Sequence, residues 1–563
     1  MRVLGISAFH RDAAAALVVD GEVVAAAQEE RFTRLTLDPA FPTRAIRWCL
    51  SSSGIAGSTL DHVVFYEKPL RKFERVLARS MQRFPGSALP FSKNAFVWLG
   101  DRLWIRNRIA EHLSLPAERV LFVEQARALL ANAFYQSRFE RAALLLLDDV
   151  GEWSSTVLGR GERDQIELAF EVRHPHSLGF LASALTQYLG FAPGEDEHKL
   201  EALAALGEPR HATALAALVW GADRGFEVAP GPFRFDDGAG RLFTEELERI
   251  LGPARRSGDP LRAVPGDAAH ADVAASIQLV LEERVLELAR ELHRKSPEDN
   301  LCVAGLLAGN RGILGRLASD GPFRNVFAPL SPGKSGGAVG AAQYAHSMLG
   351  GSRRPSPLAF ALGEAIDGRA EPGAQELVDT QRAEDELVRR LASGELVGWV
   401  RGPMEFGVRS LGRRVALAAV GKASGARLLE ALKHVERFLP CRLAVTAEDA
   451  STYFELPERA GTLPGLGHVF VRAREALRAV APDAIRPDGR AWPQVVSREL
   501  DPELHALLER LRAAGTPPLL WITDLALRGS PLVRSEAEAV EALGRSGLGA
   551  LVAGTRLYLS ESL

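Results

Sequence analysis

The sequence contains little cysteine. Its three cysteines, Cys49, Cys302 and Cys441, lie far apart and form no Cys-x-x-Cys pair. A disulfide framework or a zinc ribbon needs more cysteines at close spacing, so both are excluded. Scattered thiols are typical of proteins in a reducing compartment, and we expect this chain in the cytoplasm.

Long apolar runs, a leader pattern and an excess of one charge are also missing. The longest apolar run, residues 142–147, suits a buried strand and is too short to cross a membrane. The N-terminus carries Asp12, Asp20 and Glu22 and has no cleavage-site pattern, so we expect no signal peptide. The formal net charge is -3, which gives no electrostatic reason to expect binding to nucleic acid or to an anionic membrane.

What is present is the pattern of a large α/β protein. The 563 residues are 47% hydrophobic and 25% charged, which suffices for several globular domains. Residues 3–6, 14–19 and 23–27 predict strands, and Asp20-Gly21 between the last two is a strong signal for a two-residue hairpin turn. This beginning is typical of a sugar-kinase or actin-like domain, although other α/β domains also start with a hairpin.

Later segments repeat the strand-and-turn pattern. Residues 143–147 predict a strand that ends in Asp148-Asp149, and glycine-rich turns follow at 303–310 and 333–340. Residues 271–294 predict a long amphipathic helix that packs in a core. The glycine- and proline-rich stretch at 350–373 indicates a domain boundary.

The part of the chain from about Thr380 predicts a new unit. It opens with a helix through Leu396 and a strand at 397–400. It closes with a helix over 535–546 and a last strand at 550–559. These patterns predict a first domain and a separate α/β second domain.

Six motifs along the chain resemble those of one known family. They are GISAFHRDAAAALVVDGEVVAAAQEERFTR, DDVGEWSS, HPHSLGFLASALTQYLGF, EHKLEALAALG, GPMEFGVRSLGRR and LRGSPLV. Their order is similar to that in the ATP-dependent O-carbamoyltransferases of tobramycin, cephamycin and nodulation-factor biosynthesis, over nearly the whole chain. The resemblance implies an actin/sugar-kinase-like two-lobed domain at 1–350, a linker at 351–379 and a threonylcarbamoyl-AMP-synthase-like α/β domain at 380–563.

The resemblance also implies a two-step chemistry. In the family, the C-terminal domain makes carbamoyl-adenylate from ATP and carbamoyl phosphate, and the N-terminal domain passes the carbamoyl group to a hydroxyl with an iron-type metal. A His-His-x-x-His run and a Gly-Asp-x-Gly-Gly turn hold that metal. At these positions the present sequence has Gln125, Ala126, Leu129 and Lys334. Alanine and leucine offer no lone pair, and lysine replaces an anion by a cation.

The family's nucleotide motifs differ here as well. Asp149 adds a carboxylate where the resemblance implies a phosphate, which is repulsive. In the second domain a Lys-x-Arg-Glu motif keeps Lys433 but has Val435 in place of arginine, and the strand end at Thr523 gains Asp524. We therefore expect weakened binding of phosphate in both domains.

Candidate site residues nevertheless remain. The catalytic candidates are His10, Asp12, Asp148 and Lys334. The candidates for nucleotide or anion binding are Glu30, Glu152, Lys199, Asn310, Arg409, Arg414, Lys433 and Thr523.

The replaced positions are those for metal and phosphate, whereas the positions that build the fold are kept. This pattern favours a non-catalytic partner of an intact carbamoyltransferase or of another pathway enzyme, in a homo- or heterodimer. Two alternatives stay open: a repurposed acid–base or acyl-transfer enzyme acting on a small-molecule natural product, and an active carbamoyltransferase with substituted ligands. We expect no cofactor; ATP and Fe(II) belong to the last alternative alone.

Overall fold

The computed structural model divides the chain into two compact units. It describes all residues except 83–97, 101, 223–224, 236–239, 265–266, 354–359, 367–369, 378, 434–435 and 563. The first unit comprises Met1–Ala26 and Pro39–Pro357, and the second comprises Ala27–Asp38 and Leu358–Leu563. Within the described ranges, no helix is both long and apolar enough to cross a membrane.

The first unit contains twelve strands and eleven helices within its described residues. The strands are β1 Arg2–Ser7, β2 Ala14–Val19, β3 Glu22–Gln28, β4 His62–Phe65, β5 Val120–Phe122, β6 Arg141–Leu147, β7 Ser154–Glu162, β8 Gln165–Arg173, β9 Val219–Gly221, β10 Phe226–Val228, β11 Asn300–Ala304 and β12 Asn325–Phe327. The helices are Thr43–Ser52, Pro69–Gln82, Ile105–Leu113, Gln125–Gln136, Leu178–Tyr188, Glu197–Ala204, Ala212–Ala216, Glu245–Leu251, Ala269–Lys295, Arg311–Asp320 and Gly336–Met348.

One sheet topology occurs twice in the first unit. The first sheet has the order β3-β2-β1-β4-β5, and the second has the order β8-β7-β6-β11-β12. In each sheet the first strand along the chain pairs antiparallel with the next one and parallel with a later one. This duplication is the actin/sugar-kinase-like architecture. It brings the C-terminal ends of β1 and β4, and those of β6 and β11, to shared sheet edges.

The helices Gln125–Gln136 and Gly336–Met348 pack closely against each other. A Cβ on Gly340 would lie 1.8 Å from the carbonyl oxygen of Ala128, so glycine alone permits this approach. The close contact fixes the N-terminal ends of both helices beside the end of β6.

Gly305, directly after β11, is held in a conformation that favours glycine. Its φ is +95°, and an added Cβ would lie 2.4 Å from the carbonyl oxygen of Leu147. The turn thereby places the backbone of Leu306 against Asp148, whose Oδ1 accepts a hydrogen bond from Leu306 N at 3.2 Å.

Substituting Gly305 tests this turn. Gly305→Ala should lower the free energy of unfolding by about 1–3 kcal/mol, because the side chain is strained at positive φ and collides with Leu147. Gly309→Ala is the matched control, since nothing lies within 4 Å of an added Cβ there. Chemical denaturation of both variants measures the difference. Equal stabilities would show that the turn is not under this constraint.

The second unit is a separate α/β structure built on one large sheet. Its strands are β13 Gln375–Glu376, β14 Val397–Val400, β15 Arg414–Ala419, β16 Arg442–Thr446, β17 Phe454–Glu455, β18 Val471–Ala473, β19 Arg490–Ala491, β20 Pro493–Val496, β21 Leu519–Asp524, β22 Ala550–Ala553 and β23 Arg556–Leu559. Its helices are Glu30–Thr33, Thr380–Ser393, Gly425–Lys433, Ala450–Tyr453, Glu475–Val480, Pro502–Ala513 and Glu536–Gly544.

The main sheet of the second unit has eight strands, in the order β13-β23-β22-β14-β15-β21-β16-β20. The helices Thr380–Ser393 and Pro502–Ala513 contribute Leu387 and Leu504 to a core that also contains Leu417 and Ile522 from the sheet. A smaller sheet of β17, β18 and β19 completes the described part of this unit.

Segment 27–38 joins the second unit although it lies near the N-terminus. Arg31 Nη2 donates to the carbonyl oxygen of Gly407 at 3.0 Å, and Arg34 Nη1 donates to that of Leu532 at 2.8 Å. The sequence patterns, which follow local periodicity, gave no sign of this exchange.

Candidate functional site

Asp148 and Asp149 form the centre of a buried ionic network at the end of β6. The helix Leu178–Tyr188 fixes their backbone, since the capping hydroxyl of Ser177 donates to the carbonyl oxygens of Asp148 and Asp149 at 3.1 and 2.6 Å. Both carboxyl groups are buried. Two adjacent buried carboxylates require cationic partners, and the chain supplies them.

Lys334 is the principal cationic partner. Its Nζ lies 2.5 Å from Asp148 Oδ2 and 3.0 Å from Asp149 Oδ1, and donates to the carbonyl oxygen of Val150 at 3.1 Å. An ammonium group has three donors, so these three acceptors satisfy it fully. Burial alone would lower the pKa of Lys334, but the two carboxylates outweigh it and raise that pKa above its ordinary value. Lys334 is therefore a fixed positive charge.

Gln125 connects this network to the helix it begins. Its Nε2 donates to Asp148 Oδ2 at 2.9 Å. Its backbone N–H donates to the carboxylate of Glu152, at 3.0 Å to Oε1 and 3.2 Å to Oε2. Glu152 Oε1 also accepts from Lys68 N at 2.8 Å. Burial and the charge of Glu67 raise the pKa of Glu152. Glu152, a predicted anion-binding candidate, thus occupies the N-terminal end of a helix, where a carboxylate is stabilised.

The turn after β1 supplies the other side of the network. Arg11 Nη2 donates to Asp149 Oδ2 at 2.6 Å, and His10 Nε2 lies 3.5 Å from the same oxygen. Burial raises the pKa of Asp149, but Lys334, His10 and Arg11 outweigh this effect and hold that pKa well below its usual range. Asp12 is buried in the same turn with a φ of +52°. Of the expected catalytic residues, His10 and Lys334 therefore meet at Asp148-Asp149.

Burial shifts the pKa values of His10 and Asp148 in opposite directions. Burial lowers the pKa of His10 well below its usual value, and the charge of Asp149 offsets only part of this effect. Burial also raises the pKa of Asp148, against the opposing charge of Lys334. At neutral pH the imidazole is uncharged and lies against an ion-paired carboxylate.

Arg11 is a member of this network that the sequence patterns did not single out. Its guanidinium passes over Gly194, where an added Cβ would lie 2.0 Å from Nη1. The only sequence signal is its position between two candidate residues, His10 and Asp12.

Three expected anion-binding residues of the N-terminal part have other partners. Glu30 lies in the second unit, where its Oε1 pairs with Arg31 at 2.8 Å and its Oε2 accepts from Leu37 N. Asn310 caps the helix Arg311–Asp320 through Ile313 N at 3.0 Å. Lys199 pairs with Asp196 at 3.3 Å.

Arg414 in the second unit also differs from its expected role. Its side chain is completely buried, and its Nη1 donates to the carbonyl oxygens of Arg401, Gly402 and Arg413, while Nη2 donates to that of Glu364. Burial lowers the pKa of Arg414 to about 10. Because its outer nitrogens are bound by the backbone, Arg414 supports the fold and is not positioned to hold an anion.

A separate polar cluster, in the second unit, surrounds Asp524. Arg442 Nη2 donates to Asp524 Oδ1 at 2.9 Å, and Ser410 N donates to the same oxygen at 2.9 Å. Burial raises the pKa of Asp524, but Arg442, Lys433 and Arg409 outweigh it and lower that pKa. The carboxylate is thus ion-paired internally and offsets cationic charge in this cluster.

The remaining candidates of the second unit lie around that cluster. Arg409 Nη1 donates to the carbonyl oxygen of Gly467, and its guanidinium lies 5.2 Å from the ring of Trp492. Thr523 is buried beside Asp524 on β21. Lys433 ends the helix that begins at Gly425, and Val435 of the same motif lies outside the described residues.

The donor set in the first unit does not fit the iron-type metal that the resemblance implies. Ala126 and Leu129 carry no donor atom, and Gln125 turns its amide nitrogen toward Asp148. The ammonium of Lys334 bonds to the same carboxylate. Among the residues that the structure describes, no group of three or more His, Cys, Asp or Glu is arranged to hold a metal ion.

Comparisons with known proteins agree with the motif order. The model of the carbamoyltransferase N-terminus matches residues 2–343, and that of the carbamoyltransferase C-terminus matches residues 388–559. The Synechocystis protein sll1178 is 33% identical over 98% of this chain and 95% of its own length. Nodulation protein NolNO of Sinorhizobium fredii is 29% identical over 98% of this chain and 79% of its own length.

A shorter similarity links the chain to an O-carbamoyltransferase. The 3'-hydroxymethylcephem-O-carbamoyltransferase of Streptomyces clavuligerus is 29% identical over 46% of this chain and 49% of its own length. The fold defines a two-unit α/β protein with a duplicated actin/sugar-kinase-like first unit. The two family models together match most of its length, and the chain belongs to the carbamoyltransferase family.

Proposed function

We propose that this chain is a non-catalytic member of the carbamoyltransferase family, which acts as a partner of an active carbamoyltransferase or of another enzyme in the same biosynthetic pathway. The observation that carries the proposal is the fully bonded ammonium of Lys334 between Asp148 and Asp149. A cation of the chain itself lies where the resemblance implies one supplied from solution.

The charges of the first unit support this proposal. A divalent metal at this point would have to displace Lys334 from two buried carboxylates and leave the ammonium buried without partners. Unpaired buried charge is among the most costly features in a protein. The ion-paired network therefore favours a metal-free state.

The second unit supports it independently. ATP and carbamoyl phosphate are anions and need unpaired cations. Arg414 is bound to backbone carbonyls, and Arg442 is paired with Asp524. These internal pairs reduce the cationic charge available to phosphate.

A second candidate function is a repurposed, metal-free enzyme. The observation that favours it is the contact of the half-buried, neutral His10 with Asp149. A neutral imidazole beside a carboxylate is a possible general base for a small-molecule hydroxyl or amine. Turnover of a pathway intermediate by the isolated chain, abolished in His10→Gln, would favour this candidate over the first.

Binding measurements on the purified full-length chain test the main proposal. We expect substoichiometric metal by elemental analysis and no heat of binding in calorimetry with ATP or carbamoyl phosphate. The physical reason is that Lys334 and Asp524 already hold internal partners. Stoichiometric iron together with ATP binding would overturn the proposal in favour of an active carbamoyltransferase.

Partnership requires a separate measurement. An intact carbamoyltransferase encoded nearby should co-purify with the chain, and its activity or its solubility should be higher in the complex than alone. Absence of a complex with any enzyme of the pathway, and of any effect on their activities, would remove the partner role.

A further inference from the structure

The helix Pro69–Gln82 has apolar residues on its outer side and a charged residue on its inner side. Leu70, Leu77 and Met81 follow one another at spacings of seven and four residues, so they lie on one side of the helix. Leu70 and Met81 are 73% and 70% exposed, whereas Lys72, on the other side, is buried. A surface helix of a globular domain normally has the opposite orientation.

Specific contacts fix this orientation. Lys72 Nζ donates to Glu67 Oε2 at 2.7 Å, and both side chains are buried. The ring of Phe73 packs on that of Trp98, with the ring centroids 5.7 Å apart. A rotation of the helix that brought Leu70 inward would separate the two rings and break a buried ion pair, which is costly. The fold therefore holds the apolar side of the helix outward.

The adjacent segment extends this apolar surface. The 3₁₀ turn Arg102–Trp104 lies against the same helix. Trp104 is 60% exposed, and its Nε1 donates to the carbonyl oxygen of Leu99 at 2.8 Å, so its single donor is already bonded. Leu99 is also exposed and directly follows Trp98, whose ring packs on the helix. We call Leu70, Leu77, Met81, Leu99 and Trp104 the outer apolar face.

Positive charge flanks the outer apolar face. Lys68, Arg71 and Arg127 share the carboxylate of Glu124, which leaves cations in excess near the start of the helix. The exposed or half-buried cations of the helix and its neighbours are Lys68, Arg71, Arg79, Arg102 and Arg127, and the acids are Glu74, Glu124 and Asp101, the last of which lies outside the described residues. The local charge is therefore positive, although the formal net charge of the whole chain is -3.

The chemistry of this surface favours a lipid partner. An exposed apolar helix side with a tryptophan and flanking cations is typical of segments that lie in the headgroup region of a bilayer, where anionic lipids attract lysine and arginine. A second copy of the chain would bring the same positive charges against each other, which disfavours a symmetric dimer through this face. Because the indole N–H is bonded within the chain, the face offers apolar contact and positive charge rather than directional hydrogen bonds.

We propose that the outer apolar face docks the chain on the surface of an anionic lipid bilayer. The helix Pro69–Gln82 then lies in the plane of the headgroups, with its apolar side toward the acyl chains and the flanking cations toward the lipid phosphates. The inference does not rest on the proposed non-catalytic role, because no residue of the face belongs to the network of Asp148, Asp149 and Lys334.

Co-sedimentation of the full-length chain with lipid vesicles tests the proposal. The chain should bind vesicles of phosphatidylcholine and phosphatidylserine more tightly than vesicles of phosphatidylcholine alone, and added salt should reduce this difference. Tryptophan emission should shift to shorter wavelength on binding, and the shift should be smaller in Trp104→Phe. Equal binding to both kinds of vesicle, or binding to neither, would overturn the proposal.

An apolar double variant locates the contact. Leu70→Gln with Met81→Gln should weaken binding to the anionic vesicles about tenfold or more, because two side chains no longer gain from leaving water. Both residues are exposed, so the fold should be unaffected. Met348→Gln with Leu349→Gln is the matched control, at two exposed residues where another helix ends. Equal binding of the two double variants would place the contact elsewhere and contradict the proposal.

A charge variant and a mass measurement separate lipid from protein partners. Glu74→Lys, at an exposed position of the same helix, should bind anionic vesicles about fivefold more tightly and neutral vesicles as before. Unchanged or weaker binding of this variant to anionic vesicles would contradict the proposal. Sedimentation equilibrium without lipid should give the same mass for the unaltered chain and for Leu70→Gln with Met81→Gln. A dimer that this double variant dissociates would show that the face binds a second copy and would overturn the lipid assignment.

Discussion

Lys334→Met should lower the free energy of unfolding of the first unit by about 3–5 kcal/mol, the usual cost of removing one partner from a buried ion pair. The side chains of Lys334, Asp148 and Asp149 are 6%, 2% and 10% exposed, so solvent cannot replace the lost cation. Methionine fills most of the volume of the lysine side chain. The loss of stability therefore measures the contribution of the positive charge. Calorimetric and denaturant unfolding of the full-length chain measure it.

The compensating variant separates charge from packing. In Lys334→Met with Asp148→Asn, Asp149 still pairs with Arg11 and the network is neutral again. We expect the double variant to recover at least half of the lost stability. Lys295→Met is the control: Lys295 is 57% exposed and pairs with Glu291, so its loss should change stability by less than about 1 kcal/mol. Equal losses in Lys334→Met and Lys295→Met would contradict the buried-pair interpretation.

A third variant tests whether the ammonium of Lys334 occupies a position in which a metal cation could bind. Lys334→Asp groups three carboxylates, a donor set that Mn²⁺ and Mg²⁺ accept. Added Mn²⁺ should raise the Tm of this variant and leave that of the unaltered chain unchanged, because binding to the folded state alone stabilises it. Without a response to Mn²⁺, the view that the ammonium occupies a metal-like position would be wrong.

The fold was predictable where local patterns carry the signal. The Asp20-Gly21 hairpin is present, with positive φ at both residues, as a type I′ turn requires. The core helix expected at 271–294 is observed at Ala269–Lys295, and the strand expected at 143–147 at Arg141–Leu147. The last strand, expected at 550–559, is instead the hairpin of β22 and β23, since Gly554 turns the chain between them.

The candidate site was predictable only in part, because its geometry depends on contacts distant in sequence. Lys334 and Asp148 are 186 residues apart, and no local sequence pattern indicates that they pair. Arg11 joins Asp149 across 138 residues. The assignment of segment 27–38 to the second unit likewise has no local signal.

Several candidate residues also had two physical explanations that the sequence could not separate. An arginine such as Arg414 can bind an anion or can support the backbone from within the core. Its hydrogen bonds to four backbone carbonyl oxygens indicate the second role. Glu152 and Asn310 suit a phosphate site or a helix terminus, and both are found at helix termini. Polar side chains at turns frequently serve such capping roles.

Glu405→Ala should have the largest effect on the second unit. Glu405 Oε1 accepts hydrogen bonds from Ser410 Oγ and from three consecutive backbone N–H groups, those of Leu411, Gly412 and Arg413, at 2.8–2.9 Å. The carboxylate is 2% exposed. Removing it leaves these donors buried without an acceptor, and we expect a loss of about 3 kcal/mol in the free energy of unfolding.

The conservative variant Glu405→Gln tests the role of the charge. Glutamine keeps an oxygen for the same donors but loses the negative charge that strengthens them, so we expect a loss of about 1–2 kcal/mol. Glu475→Ala, at a side chain that is 87% exposed, should leave stability within about 0.5 kcal/mol of the unaltered chain.

Amide hydrogen exchange gives the direct readout of this turn. The amides at 411–413 should exchange faster in Glu405→Ala and stay protected in Glu405→Gln, because the second variant keeps the acceptor. The amide of Ser410, which donates to Asp524, should follow the same order, since the turn positions it. Because Ser410 and Arg442 share Asp524 as acceptor, loosening the turn would weaken the whole polar cluster of the second unit. Unchanged exchange at 410–413 in Glu405→Ala would mean that the turn is held by its packing rather than by the carboxylate.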